Sequence, residues 1–350
     1  MTLLSRVLAA LLPAALLPSV LLGAAAPAVA QPRTLVVSTF AIQQDATRRN
    51  LYAPFEAQCG CRVVADLGNS AERLAKLEAR RASPEVDVAV LSDVNAAEAA
   101  QKGLIEPIDP AALSNFARLH DFAKDPVGGN FGVGYTFYST SIVYRTDKLP
   151  QLSSWKDLWS PALKGRFALP NITTTQGPLM LFMAERAHGG TSPDFQLGIA
   201  KVAEIKDSAV TFYERSAQLT QLFQQEEIWA AVTGRFNWPN IRKLDLPLGW
   251  AKLAEGQTGG INVLTLVKGA RNRDLALRFI DTWLSTEVQT RMAMDLVDSP
   301  TNKEVRLPPA IAEQLSYGDD VAGTLRLIPP AEALANQRAW VAGWNARIAR

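Results

Sequence analysis

Two hydrophobic rhythms alternate along the chain. Short apolar runs at 34–39 (TLVVST), 62–66 and 86–90 are each followed by a segment in which apolar residues return every three or four positions. The runs predict strands and the longer period predicts helices. Residues 45–58 carry Leu51, Tyr52 and Phe55 at helical spacing before Gly60. Asn69-Ser70-Ala71-Glu72 has the form of a helix cap with a Glu three residues on, and Leu74 and Leu77 then share one face. Val86, Val88 and Val90 alternate in a third strand that stops at Ser92-Asp93, ahead of an Ala-rich helix over 95–102. Strand and helix in strict alternation predict a parallel sheet covered by helices.

Residues 103–110 (GLIEPIDP) break the alternation, and a loop-rich region leads to GGNFGVG at 128–134. The next run, 135–145 (YTFYSTSIVYR), is too long and too rich in β-formers for a turn; it predicts a strand that leaves the first sheet and enters a second. That second sheet has its own series: a strand at 166–169, a Thr-rich loop at 171–176, and a helix opened by Gly177-Pro178. A strand at 210–213, a helix at 217–227 and a strand at 229–232 follow. A second long β run, 259–267 (GGINVLTLV), predicts a return crossing. Two crossings make the lobes discontinuous in sequence and create a hinge. The expected division is 31–136 plus 262–305 for lobe 1 and 137–261 plus 306–350 for lobe 2. Residues 274–296 are read as amphipathic helix with Leu275, Phe279, Trp283 and Met292 inward, and 331–348 as a helix on which Trp340 and Trp344 are packing anchors.

The first thirty residues stand apart. Arg6 precedes an apolar run over 7–22, and small residues continue to Ala28-Val29-Ala30, the pattern of a cleaved secretory signal peptide. Pro13, Pro18 and Pro27 argue against a membrane anchor instead. The expected address is the periplasm. No Cys follows the cleavage site, so a lipid-modified N-terminus is not expected. The pair Cys59 and Cys61 could close a small disulfide in an oxidising compartment, but two small residues at a helix end and strand start is the reading adopted.

Charge is nearly balanced, with 36 Lys+Arg against 34 Asp+Glu, so neither nucleic acid nor an anionic membrane is an expected partner. Catalytic signatures are missing. His120 and His188 are far apart, no HExxH or Cys/His cluster points to zinc, and there is no GxSxG elbow or phosphate loop. Gly129, Gly132 and Gly134 fit neither nucleotide fingerprint and read as loop. Asn171-Ile172-Thr173 matches a glycosylation sequon that chance often produces. No enzyme activity, cofactor or metal is therefore expected.

What remains is polar and aromatic side chains at the carboxyl ends of predicted strands, where open parallel sheets hold their ligands. Lobe 1 offers Thr39-Phe40, Gly68-Asn69-Ser70 and Ser92-Asp93; lobe 2 offers 173–176 (TTTQ), 213–216 (YERS) and 235–238 (RFNW). Ser70, Ser92 and Thr175 are equally good helix caps, and Trp238 before Pro239 is equally good as a loop plug.

Four segments carry a family resemblance: VDVAVLSD (86–93), SSWKDLWSPALKGRFALPNITTTQGP (153–178), LVKGARNRDLALRFIDTWLS (266–285) and SPTNKEVRLPP (299–309). Through them the chain resembles the periplasmic solute-binding proteins of bacterial ABC importers, in the extracellular solute-binding group that includes the spermidine/putrescine-binding proteins. The resemblance implies a two-lobed α/β fold. Each lobe would be a mostly parallel sheet flanked by helices, with two crossing segments at the hinge, closing on a solute and docking as a monomer on an inner-membrane permease. Carried over by position, the cleft would take Phe40, Asn69, Ser70, Ser92, Asp93, Tyr135, Thr174, Thr175, Gln176, Arg215, Trp238 and Asn262. The family default is a polyamine such as spermidine or putrescine. Diamine binders set several carboxylates and an aromatic box around the cation, whereas here Asp93 is the one carboxylate placed in the cleft and Asn262 stands where another would be expected. Arg215, Arg235 and the Thr-rich helix entrance suit an oxyanion, so an anionic or zwitterionic solute (a phosphonate, an amino acid derivative or a thiamine-like compound) is the alternative. A secreted enzyme on the same fold is the rival class.

Overall fold

The computed structural model describes residues 32–41 and 43–349; the signal peptide assigned to 1–30 lies outside the described residues. Among the described residues, eleven strands join one sheet. They are β1 (Thr34–Thr39), β2 (Arg62–Leu67), β3 (Val88–Ser92), β4 (Ile105–Glu106), β5 (Val133–Arg145), β6 (Phe167–Pro170), β7 (Thr211–Tyr213), β8 (Ala230–Gly234), β9 (Leu248–Trp250), β10 (Gln257–Val267) and β11 (Leu325–Leu327). The main path runs β2-β1-β3-β10-β5-β8-β6-β7. At one end β1 pairs in parallel with β2 and β3, and at the other β6 pairs in parallel with β7 and β8. The joints between these parallel groups, β3–β10, β10–β5 and β5–β8, are antiparallel. Each parallel neighbour requires a crossover, which is why strand and helix alternate in both outer groups.

Strand β5 makes the two groups one molecule. All of its 13 residues are buried except Tyr138, which is half-buried. Val133 and Tyr135 belong to a core with Leu35, Val37, Leu264 and Phe279, while Ile142 and Tyr144 belong to another with Leu169, Met180 and Trp155. One strand therefore serves two hydrophobic cores. Beside it, β10 passes close enough to require glycine twice. A Cβ on Gly259 would lie 1.8 Å from the Tyr138 carbonyl oxygen, and one on Gly260 would lie 2.3 Å from the Tyr138 hydroxyl.

Several expectations need correction. The helical region 274–296 is two helices, Arg273–Leu284 and Thr286–Met294, because Ser285 takes extended backbone and its hydroxyl caps the second helix at the Val288 N–H. Cys59 and Cys61 form a disulfide across a left-handed Gly60, so their spacing marks a bridge and not packing alone. A helix over Gln196–Ile205 was not foreseen, although Ile199, Val202 and Ile205 are buried at three-residue intervals. The short strands β4, β9 and β11 also carry too few residues to show a period. In the C-terminal helix Pro330–Arg347, Trp340 and Trp344 are packing anchors as expected: both are buried, and Trp340 stacks on Phe195 with centroids 4.6 Å apart. In the C-terminal segment, Leu325 packs in a further cluster with Leu91 and Val263, while Ala333 and Trp340 join the core of Leu169. No helix among the described residues is long and apolar enough to cross a membrane.

Candidate ligand-binding cleft

Strands β1 and β3 end on the same side as the helices Ser70–Ala79 and Asp93–Gln101 begin, so Phe40, Ser70, Ser92 and Asp93 stand along one wall of a cavity of about 930 Å³. Opposite them, Thr175 and Gln176 open the helix Gln176–Ala187, and Arg235 and Phe236 follow β8. Tyr135 to Tyr138 of β5 and Asn262 of β10 run along the cavity, which Trp283, Met292, Asp298, Ser299 and Ser316 complete. The cavity thus lies where parallel strands give way to helix N-termini, the usual position for a ligand in open α/β sheets.

Two carboxylates set the electrostatics of one side. Asp93 Oδ1 accepts the Val94 N–H at 2.8 Å and Oδ2 accepts the Ile261 N–H at 3.3 Å. Burial nevertheless pushes its carboxyl up to about 6, with those N–H groups opposing the shift. Asp298 is more isolated. Its Oδ2 is buried with no hydrogen-bond partner among the described residues, and burial pushes the carboxyl up to about 7 against the opposing side chains of Trp283 and Thr136. The segment carrying it is fixed, because the Ser299 N–H donates to Thr136 Oγ1 at 3.0 Å and Ser299 Oγ accepts the Ser316 N–H at 3.0 Å. Tyr135 and Tyr138 are driven above the usual phenol range by burial, so both stay neutral hydroxyls beside these acids.

The other side is cationic. Arg235 lies over the Trp250 ring at 4.6 Å and the Trp238 ring at 5.6 Å, and its Nη2 donates to the Glu313 carbonyl at 2.5 Å. Burial pulls the guanidinium down to about 10, which leaves it charged at neutral pH. Its Nε is buried without a partner among the described residues, and so is Nε2 of Gln176, a residue only 3% exposed. Nε2 of Gln176 lies 3.1 Å from where a Cβ on Gly234, the residue before Arg235 in the chain, would sit.

Of the residues singled out in the sequence, Phe40, Ser70, Ser92, Asp93, Tyr135, Thr175, Gln176 and Asn262 line this cavity. Asn69, Thr174, Arg215 and Trp238 do not. Asn69 caps its own helix, accepting the Glu72 N–H at 2.9 Å while Glu72 accepts the Asn69 N–H at 2.9 Å. Thr174 closes the loop on itself, donating to the Asn171 carbonyl at 2.7 Å. Arg215 is an exposed residue ahead of the helix Ala217–Gln224. Trp238 is buried behind Arg235 and packs on Trp250. Phe40 keeps its place by stacking on the guanidinium of buried Arg73 at 4.0 Å, and Arg73 Nε is tied to the Val90 carbonyl at 2.8 Å. Asp298 and Trp283 are the principal cavity residues that escaped notice as such. Asp298 directly precedes the SPTN segment, three residues after Asp295, and nothing in the sequence sets one acid of that turn apart from the other.

Among the described residues no three His, Cys, Asp or Glu side chains gather as a metal site. Comparison with known proteins supplies the family. The model of bacterial extracellular solute-binding proteins matches residues 50–316. The spermidine/putrescine-binding periplasmic protein of Escherichia coli is 22% identical over 293 residues, covering 82% of this chain and 81% of that protein. A putrescine/cadaverine-binding protein of Pseudomonas aeruginosa is 25% identical over 332 residues, covering 85% and 87%. A crystal structure of an ABC transporter protein from Clostridium perfringens superposes with a TM-score of 0.85 at 30% identity, over 90% of this chain and all of that one.

Proposed function

The chain belongs to the bacterial extracellular solute-binding proteins, and from that premise we propose that its cleft captures a solute bearing an amino group. It is the substrate-binding component of an ABC transporter, on a two-lobed α/β fold. Its relatives and its fold are those of binding proteins rather than enzymes, and its family homologues are periplasmic or extracellular. The family implies a small solute and an ABC permease as partners.

The observation that carries the amine is the Oδ2 of Asp298. A buried carboxylate with one oxygen unpartnered is costly, and its proton affinity rises until a cation takes the place of the proton. An ammonium at that oxygen restores the missing charge-assisted hydrogen bond, with Asp93 as the second acid of the cleft. The aromatic faces of Tyr135, Trp283 and Phe40 supply the apolar surface over which a methylene chain and a cation both sit favourably. The two relatives named above are described as polyamine binders, so an amine is also the chemistry they share.

Calorimetric titration with putrescine, cadaverine, spermidine and amino-acid amines tests this. Binding of at least one amine is expected, weakened by about ten- to a hundredfold in Asp298→Asn, the worth of one hydrogen bond to a charged group. Binding of carboxylates or phosphonates that lack an amino group, with all amines inert, would overturn it.

A further inference from the structure

We infer that the captured solute is a zwitterion, its ammonium held at Asp298 and its carboxylate held by Arg235, Gln176 and the N-terminus of the helix Gln176–Ala187. The inference rests on the amine reading above and adds the second pole. Three observations at that pole point to an anion. Arg235 Nε and Gln176 Nε2 are both buried donors without partners among the described residues, and both residues line the cavity. Arg235 is also fixed in place by the two tryptophan rings and the Glu313 carbonyl, so its unpartnered Nε is held in one position. Finally, the 12-residue helix Gln176–Ala187 begins at this end of the cavity, so the positive end of its field faces an anion there, although the Gly177 N–H is already taken by Thr174 Oγ1 at 3.1 Å and Pro178 has none.

The nearby acids are occupied elsewhere. The Glu313 carboxylate pairs with Arg242 at 3.3 Å and Asp320 with Lys252 at 3.8 Å, so among the described residues no carboxylate is paired to the cation of Arg235. A second ammonium, as in a diamine, would meet Arg235 as a like charge in a partly dehydrated cleft; a carboxylate would meet it as a two-donor partner. The chain therefore departs from the diamine chemistry of its named relatives at this end of the cavity.

Distance along β5 bounds the solute. Asp298 leads into Ser299 and Pro300, which bind beside Thr136, whereas Arg235 follows Gly234, which pairs with Thr140. Four residues of strand separate these anchors, about 13 Å at roughly 3.3 Å per residue. A solute that touches both ends therefore carries its two charges at opposite ends of a chain, as an ω-amino acid does. An inorganic anion is too small to touch both poles.

Matched probes of one chain length separate the two claims: 5-aminopentanoate, cadaverine, pentylamine and pentanoate, titrated calorimetrically into the wild type, Arg235→Gln, Arg235→Lys and Asp298→Asn. Melting curves of the unliganded variants verify folding. The amino acid should bind at least tenfold more tightly than cadaverine. Arg235→Gln should erase that preference by weakening the amino acid and tightening cadaverine, which is relieved of a like charge, with Arg235→Lys intermediate because it keeps charge but loses the fork. Asp298→Asn should weaken every amine. Equal binding of cadaverine and the amino acid, indifferent to Arg235→Gln, overturns the zwitterion while the amine reading stands. Pentanoate binding as well as the amino acid, indifferent to Asp298→Asn, overturns the amine reading itself. If no ω-amino acid from three to six carbons binds the folded wild type, the zwitterion is overturned as well.

Discussion

At the residue scale the cleft is governed by side chains whose polar atoms lack partners within the protein. Asp298 gives this a measurable pH signature. Its carboxyl is raised from the ordinary 3.8 to about 7, so the folded, unliganded protein binds a proton more tightly than the unfolded chain does. The associated stability is fully present below about pH 4 and is lost as pH rises through about 7. Ligand binding runs the other way, because an ammonium needs the ionised acid. Amine affinity is expected to fall roughly tenfold or more between pH 8 and pH 5.5, and Asp298→Asn should flatten that dependence and abolish the loss of unliganded stability between about pH 4 and pH 7; titrations at pH 8 and 5.5 and melting curves across that window read both. Asp93 titrates near 6 and adds a shallower slope of the same sign. Sequence reasoning found Asp93 because it ends an alternating strand at a helix start. It missed Asp298 because an acid in an irregular turn has no period to betray it. Trp238 and Arg215 show the converse limit: both follow strand ends, yet one turns inward behind Arg235 and the other outward to solvent, and strand-end position alone does not say which.

At the element scale the long strands carried the clearest signal. The runs 135–145 and 259–267 read as crossings from length and β-forming composition, and they are β5 and β10. Their mutual pairing was not legible, since antiparallel contact between residues far apart in sequence leaves no mark on either run alone. Gly259 and Gly260 are its nearest trace. The first has Tyr138 backbone against its missing side chain and the second the Tyr138 hydroxyl, so the pair marks where β10 is pressed onto β5. Because a carbonyl cannot swing aside as a side chain can, Gly259→Ala is expected to cost more stability than Gly260→Ala. The loss at Gly259 should be about 1–3 kcal/mol or more by denaturant unfolding, in line with overpacking of a tight interior. Equal, small losses at both positions would mean that the strands separate more easily than their spacing implies. The disulfide beside β2 contributes little by comparison: a bridge closing only three residues removes at most about 1.6 kcal/mol of chain entropy from the unfolded state.

At the scale of the whole molecule, the sheet joins its two parallel strand groups through antiparallel β10 and β5, and the cavity lies beside that joint. Asp93 and Phe40 belong to elements of the first group, Gln176 and Arg235 to elements of the second, and Asp298 is tied to the strand between them. A solute that engages both poles therefore bridges the groups, and its binding energy acts to draw them together; a solute that engages one pole has no such leverage. The expected outcome is that 5-aminopentanoate at saturation reduces the radius of gyration in small-angle X-ray scattering, while pentylamine at saturation reduces it less. In Arg235→Gln the amino acid, raised in concentration until the site is again full, should behave like pentylamine. Matching occupancy is essential, since ligand stabilisation grows with concentration over Kd and would otherwise mask the difference. If instead both ligands contract the wild type and the variant equally, closure depends on filling the cavity beside Tyr135 and Trp283, and the Arg235 end takes no part in drawing the groups together.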